Sequence, residues 1–368
     1  MYFLIFMLHL NFTIPKKAME IKRIPYFEPE ISTKLFGMLP NGTAVYSHEL
    51  SNKNGMKLQV IDYGATITAL QIPLKSGRIV DVVLGFPTLE DYVASFDLES
   101  APYFGAIVGR FAGRIHNGAF MLNGKKIKLH QNNNGNSLHG GFHGFSTAVW
   151  KVKEAPSTFN ASITFCYSSP NNDEFFPGNL EVEVTYTLTE ANEVQIDYKA
   201  KSDQDTIINL THHSYFNLDG HAADVKKQEV TVNAHQILET TKDNIPTGRF
   251  LDLNNHAFDF NCAKKCPTKI DTTFIINQND FAAASLSSKK NKLEMTVFTN
   301  QPAVHIYVGG NCFNTIKGKE NASYHPLSGI CFETQNFPDA PNHLHFPNAV
   351  LTKEDTYRQH TVYKFEIQ

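Results

Sequence analysis

The run N-L-T-H-H-S-Y-F-N-L, residues 209–218, sets two imidazoles side by side among apolar residues. Histidine changes charge near neutral pH, so it serves readily as a general acid or base. If the run is a buried strand, neighbouring side chains point to opposite faces, and His212 and His213 share one pocket only where the strand bulges. Asn209, Thr211 and Asn217 add polar groups that need partners once buried. A lone histidine in such a run is usually a satisfied core residue; this density of polar groups points towards a site. A carboxylate candidate, Glu333, lies in G-I-C-F-E-T-Q-N-F-P-D-A (329–340), at the end of an apolar strand. Partial desolvation there makes a carboxylate a stronger base, although an ion-paired strand end reads the same way.

Two further phrases carry polar groups between glycines. N-S-L-H-G-G-F-H-G-F (136–145) holds His139 where the backbone can approach a ligand closely, or where a surface loop simply turns. G-R-F-A-G-R-I-H-N-G (109–118) offers Arg110 and Arg114, each a fork of donors for a polar ligand or a solvated turn residue. Together these are two imidazoles, a carboxylate and an arginine: an acid/base set with no nucleophile. The chain has no G-x-S-x-G elbow, phosphate loop or dinucleotide fingerprint. His343 and His345 in N-H-L-H-F have the spacing of a metal pair, but they sit in a Pro/Asn-rich stretch with no third ligand at recognisable spacing, so no metal is expected.

The elements that must position these groups read as strands. E-V-E-V-T-Y-T-L-T-E (181–190) and V-Q-I-D-Y-K-A (194–200) alternate on either side of a short turn and predict a hairpin. K-L-E-M-T-V-F-T (292–299) and A-V-H-I-Y-V (303–308) repeat the pattern around Asn300-Gln301-Pro302. L-Q-V-I-D-Y-G-A-T-I-T-A-L-Q-I (58–72) is interrupted by Gly64, which marks a bulge or bend. Only T-L-E-D-Y-V-A-S (88–95) reads as helix. The 28 Phe and 14 Tyr suit strands, and the whole predicts an all-β protein, a large antiparallel β-sandwich with few short helices.

With 368 residues, 42% hydrophobic and 19% charged, the chain can build a large core. A net charge of −3 without a dense Lys/Arg stripe argues against nucleic acid as a partner. Five cysteines are scattered; Cys262 and Cys266 form C-x-x-x-C without a second pair, so zinc is not expected there. Such a set reads as thiols in a reducing, cytoplasmic compartment. The apolar start M-Y-F-L-I-F-M-L-H-L is too short to span a bilayer, and no other segment does. It reads as a degenerate export signal, an upstream extension or a misplaced start. Residues 1–28 look like an extension of uncertain role, and 29–368 like a single domain.

Taken in order, the phrases N-G-M-K-L-Q-V-I-D-Y-G-A-T-I-T, D-V-V-L-G-F, Y-F-G-A-I-V-G-R, N-S-L-H-G-G, N-L-T-x-H-S-Y-F-N-L, T-N-Q-P and F-E-T-Q-N-F-P-D-A resemble the aldose 1-epimerase (galactose mutarotase) family from about residue 33 to the C-terminus. The resemblance implies a mutarotase-like β-supersandwich, no cofactor, and interconversion of the α and β anomers of free aldoses such as galactose and glucose. It implies His213 as general acid and Glu333 as general base, with Arg114, His139, Asp271 and Gln301 as sugar ligands. The chain departs from the family pattern at Gly113 and His212, where Asn is usual, at Phe337, where Trp is frequent, and around Asp271 in I-D-T-T-F. Alternatives are an epimerase of another sugar, such as a hexose 6-phosphate, and a non-catalytic carbohydrate-binding protein on the same fold. Whether the chain is a monomer or a homodimer stays open.

Overall fold

The computed structural model describes residues 31–153, 160–277, 282–312 and 314–368. The extension expected over 1–28 lies outside them. The described chain is built from antiparallel strands in three large sheets of nine, six and five strands, with smaller two-stranded pairs between them. The predicted hairpin forms as Leu180–Leu188 against Glu193–Ser202. Every second residue of Leu180–Leu188 is buried, as its apolar alternation requires. This hairpin lies at the middle of the nine-stranded sheet, beside the C-terminal strand Tyr357–Ile367.

The six-stranded sheet runs Tyr215–Phe216, Ile330–Gln335, Ala303–Val308, Asp271–Ile276, Ala234–Thr240, Pro246–Asp252. Its inner face contributes Phe274, Val304, Ile306 and Phe332 to one continuous core. The inward residues Val182, Val184 and Ile196 of the nine-stranded sheet and Leu58 and Val60 of the five-stranded sheet join the same core. Each such side chain contributes about 1.5–3 kcal/mol when fully buried. The other face of the six-stranded sheet carries polar residues, and that asymmetry makes a cleft.

Two sequence expectations change in detail, while Gly64 marks the bend expected of it. The strands 292–299 and 303–308 form as Leu293–Thr299 and Ala303–Val308, but they belong to different sheets, so residues 300–302 are a crossover and not a hairpin turn. Gly64 lies between Lys57–Ile61 and Thr66–Pro73, two strands that pair with each other. It has φ +67°, and a Cβ there would fall 2.5 Å from the Ser146 carbonyl oxygen, so only glycine fits. The run 209–218 is not one strand: it is split into Thr211–His212, paired with Ile107–Val108, and Tyr215–Phe216, paired with Ile330–Gln335. The predicted helix forms at Leu89–Ser95, with Thr88 as its N-cap accepting from the Asp91 amide.

Candidate active site

A cleft of about 330 Å³ opens over the polar face of the six-stranded sheet. The sheet register explains its floor. Side chains directly opposite one another on neighbouring strands form rows. One row is Thr273, His305 and Glu333; the row on one side is Asp271, Tyr307 and Cys331, and on the other Ile275, Ala303 and Gln335. The middle row supplies His305 and Glu333 to the cleft and the next row Asp271 and Tyr307, while apolar sequence neighbours such as Phe274, Val304, Ile306 and Phe332 point into the core.

His213 sits in the break between the two short strands of the 209–218 run. Its amide donates to the Ala106 carbonyl, and its carbonyl accepts from Gly105. This break brings His213 Nε2 to 3.4 Å from Glu333 Oε1. Both side chains are almost fully buried at the cleft floor. His213 is packed between the rings of Tyr215 and Tyr103, with His139 perpendicular at 5.6 Å. His212 faces the other way. Its Nε2 pairs with Ser214 Oγ at 3.1 Å, and its ring lies against Tyr186 and Tyr363. Burial, followed by the charge of His213, pulls its pKa down to about 3, so His212 is a neutral core residue.

The phrases holding Arg114 and His139 meet through a two-residue ladder, Arg114–Ile115 against Ser137–Leu138. The His139 amide donates to the Gly113 carbonyl at 3.1 Å, and the Gly113 amide donates to His139 Nδ1 at 3.3 Å. Nδ1 is thereby an acceptor, which leaves the proton of the neutral ring on Nε2. Burial, followed by the charges of His213 and Arg114, holds the His139 pKa well below the ordinary value, so it enters the cleft as a neutral donor. Arg114 is anchored by Nε to Asn133 Oδ1 at 3.0 Å.

The two arginines of 109–118 divide their labour. Arg110 is buried, and its Nη atoms donate to the carbonyls of Ser169, Pro170, Pro177 and Gly178. It thus clamps both ends of the turn 170–178. That turn presents Glu174, whose Oε1 accepts from the His143 amide and Oε2 from the Phe142 amide, each at 3.0 Å. His130 Nδ1 lies 2.6 Å from the same Oε2. Gly141 has φ +106°, and a Cβ there would strike the Glu174 carboxylate, so the close approach requires glycine. The loop carrying His139 is therefore pinned from outside the cleft by a buried carboxylate.

Of the six residues singled out from sequence, His213, Glu333, Arg114, His139 and Asp271 line the cleft. Gln301 does not. It belongs to the crossover between the sheets, with its amide nitrogen bonded to Asn300 Oδ1 at 3.1 Å. The T-N-Q-P phrase lies where the chain changes sheets, and its glutamine is not among the residues that line the cleft. Phe337 likewise packs with Phe250 and Phe346 in a separate cluster outside the cleft lining. His343 and His345 do not converge as a metal pair: His343 Nε2 lies 3.2 Å from Asp339 Oδ2, and His345 Nε2 2.7 Å from the Gly248 carbonyl. Among the described residues, one group, His213, Cys331 and Glu333, has ligand-type atoms within 4.8 Å of one another. However, His213 presents Nδ1 to Cys331 Sγ at 3.8 Å and Nε2 to Glu333, so its nitrogens face different partners.

Of the cleft-associated residues that were not singled out from sequence, three bear directly on the site's geometry. His305 bonds Asp271 Oδ1 through Nε2 and Thr273 Oγ1 through Nδ1, both at 2.8 Å. Its signal was a polar residue inside the alternating strand A-V-H-I-Y-V. Gln335 lies two residues beyond Glu333 and on the same face. Asp339, in the F-P-D-A phrase, braces the arginine segment from below: its amide donates to the Arg114 carbonyl, and its Oδ1 accepts from the His116 amide.

A sequence model described as Aldose 1-epimerase matches residues 46–364. A galactose mutarotase from Sus scrofa is 37% identical over 349 residues, covering 92% of this chain and 99% of that protein. An aldose 1-epimerase from Haemophilus influenzae is 34% identical, covering 89% and 97%. Among solved structures, the GalM/aldose epimerase homologue from C. elegans superimposes with a TM-score of 0.80 at 30% identity, covering 87% of this chain and 98% of that one.

Proposed function

The chain belongs to the aldose 1-epimerase family and interconverts sugar anomers; on that premise we propose that it acts on free aldoses such as galactose and glucose, with Glu333 as base and His213 as acid. The observation that carries the assignment is the 3.4 Å approach of His213 Nε2 to Glu333 Oε1 at the floor of the cleft. Ring opening needs both groups at once. Glu333 takes the proton of the C1 hydroxyl while His213 gives its proton to the ring oxygen. The C1–ring oxygen bond breaks as the C1 carbonyl forms. Rotation about C1–C2 presents the other carbonyl face to the former ring oxygen. Reclosure returns the proton from Glu333 to the new C1 hydroxyl and restores the proton of His213. Nothing is consumed, and the pair ends as it began.

Arg114, His139 and Asp271 are read as the groups that hold the sugar. His139 offers an Nε2 proton, Arg114 its guanidinium and Asp271 a carboxylate, which together match the mixed donor and acceptor character of sugar hydroxyls. A free aldose is favoured over a phosphorylated one because, among the described residues, no lysine lines the cleft and Arg114 is the only arginine that does. Residues 29–368 are further read as one domain; in support, the nine-stranded sheet takes strands from the middle and the end of the described chain.

Polarimetry on freshly dissolved α-galactose and α-glucose tests the assignment. Wild type should speed relaxation to the anomeric equilibrium for both. Relaxation at the buffer rate for both sugars would refute it.

A further inference from the structure

Gln335 closes the strand Ile330–Gln335 with its side chain on the cleft face, where it is 1% exposed. Its Oε1 is buried and has no hydrogen-bond partner among the described residues. A buried, unpaired amide oxygen costs stability unless something bonds it, and native structures rarely leave one so. The row to which it belongs shows why the sheet provides no partner. Its cross-strand neighbours on that face are Ala303 and then Ile275, neither with a polar side-chain atom. The adjacent row, by contrast, is internally satisfied through the Thr273–His305 bond. The amide therefore looks into the cleft beside the proposed base. Two residues along a strand separate it from Glu333 by about 7 Å. A pyranose whose C1 hydroxyl meets Glu333 can span that gap with a hydroxyl from another carbon of the ring.

We propose that Gln335 is a sugar ligand: its side-chain amide bonds a hydroxyl of the bound aldose other than that on C1, the role that the sequence motif had suggested for Gln301. This rests on the assignment of the cleft to an aldose. A substrate hydroxyl supplies the partner that this amide lacks within the protein, so the group favours binding at the expense of the free protein. The bond persists through ring opening because it lies away from C1. Its loss consequently falls on KM and spares kcat.

The test is Gln335→Leu, which keeps the volume and deletes the amide. Saturation polarimetry on galactose should give a KM raised about tenfold with kcat within about threefold, as expected for one hydrogen bond made equally in both states. The melting temperature should stay level or rise, because an unpaired buried polar group has been removed. A purely structural amide would instead lower it and leave KM alone. Gln335→Ala, smaller than the native residue, should show the same rise in KM, which separates loss of the bond from obstruction by leucine. Comparing 2-, 3-, 4- and 6-deoxygalactose then identifies the hydroxyl: for one of them wild type and Gln335→Leu should have equal KM. An unchanged KM for galactose in both variants, or a tenfold penalty shared by all four deoxy sugars, overturns the proposal. Inactive wild type would overturn the aldose assignment itself, which is a separate result.

Discussion

Asp271 Oδ1 and His305 Nε2 are 2.8 Å apart, joined diagonally across two neighbouring strands of the cleft floor. Burial alone would raise the carboxyl and lower the imidazole. For Asp271 the hydrogen bond and charge of His305 outweigh burial and hold the carboxyl below its ordinary range. For His305 the bond to Asp271, with the charges of Glu333 and Asp271, outweighs burial and holds the imidazole above its ordinary range. The raised His305 contributes stability that is complete below its unfolded value and fades as pH rises through its folded one. The depressed Asp271 contributes stability that is complete above its unfolded value and fades as pH falls through its folded one. The pair is thus at full strength between about pH 4 and about pH 6.5. The melting temperature of wild type should exceed that of His305→Gln by most within that window, with the gap narrowing on both sides. A gap that does not vary with pH would contradict the pairing.

Glu333→Gln should lower kcat by about 10²–10⁴-fold, the usual contribution of a positioned acid or base. KM for galactose should change little, since the amide keeps the shape and one acceptor. Near-normal anomer relaxation in the variant would remove Glu333 from the chemistry.

The adjacent histidines should separate cleanly. His213→Asn should lose activity on the scale of Glu333→Gln. His212→Asn should keep kcat and KM within about twofold, yet lose about 1–3 kcal/mol of stability, because a fully buried ring packed on Tyr186 and Tyr363 is replaced by a smaller side chain. Denaturant titration beside the rate assay checks both halves. A stable, inactive His212→Asn would place the acid on the wrong residue.

Glu174 lies outside the cleft lining but holds the loop of His139 by accepting from two backbone amides. Glu174→Gln removes the charge that strengthens those bonds. KM should rise about fivefold to tenfold, and limited proteolysis should cut near residues 140–144 faster than in wild type. Unchanged KM and unchanged cutting would mean that Arg110 and the glycines alone fix the loop.

The sequence made the chemistry on strands easier to read than the contacts on loops. Period-two alternation exposed the hairpin Leu180–Leu188/Glu193–Ser202 and the strand that ends near Glu333, because one face of each is apolar. Strand parity also separated His212 from His213 correctly, even though the run is broken in two. The sheet assignment of Ala303–Val308 was hidden, since a crossover and a hairpin turn share the same residue types. That is why Gln301 was misplaced and His305 and Gln335 were passed over. Their meaning comes from register, and which residues face one another across strands is a tertiary fact. The division between Arg110 and Arg114 was likewise illegible: four residues apart, one is swallowed by carbonyls and the other reaches the cleft.

The crossover at 300–302 leads into the continuous sheet that carries Glu333, the proposed base, whereas Arg114 and His139 come from a short ladder and a glycine-rich loop tied down at a distance. Glu333 and the Arg114–His139 contacts therefore rest on different supports, while Asp271 and Gln335 share the sheet of Glu333. The rim can be rebuilt, by exchanging the 137–144 loop together with its 170–178 support, without touching the strand that carries Glu333. Such a protein is free to change its diet while keeping its trade.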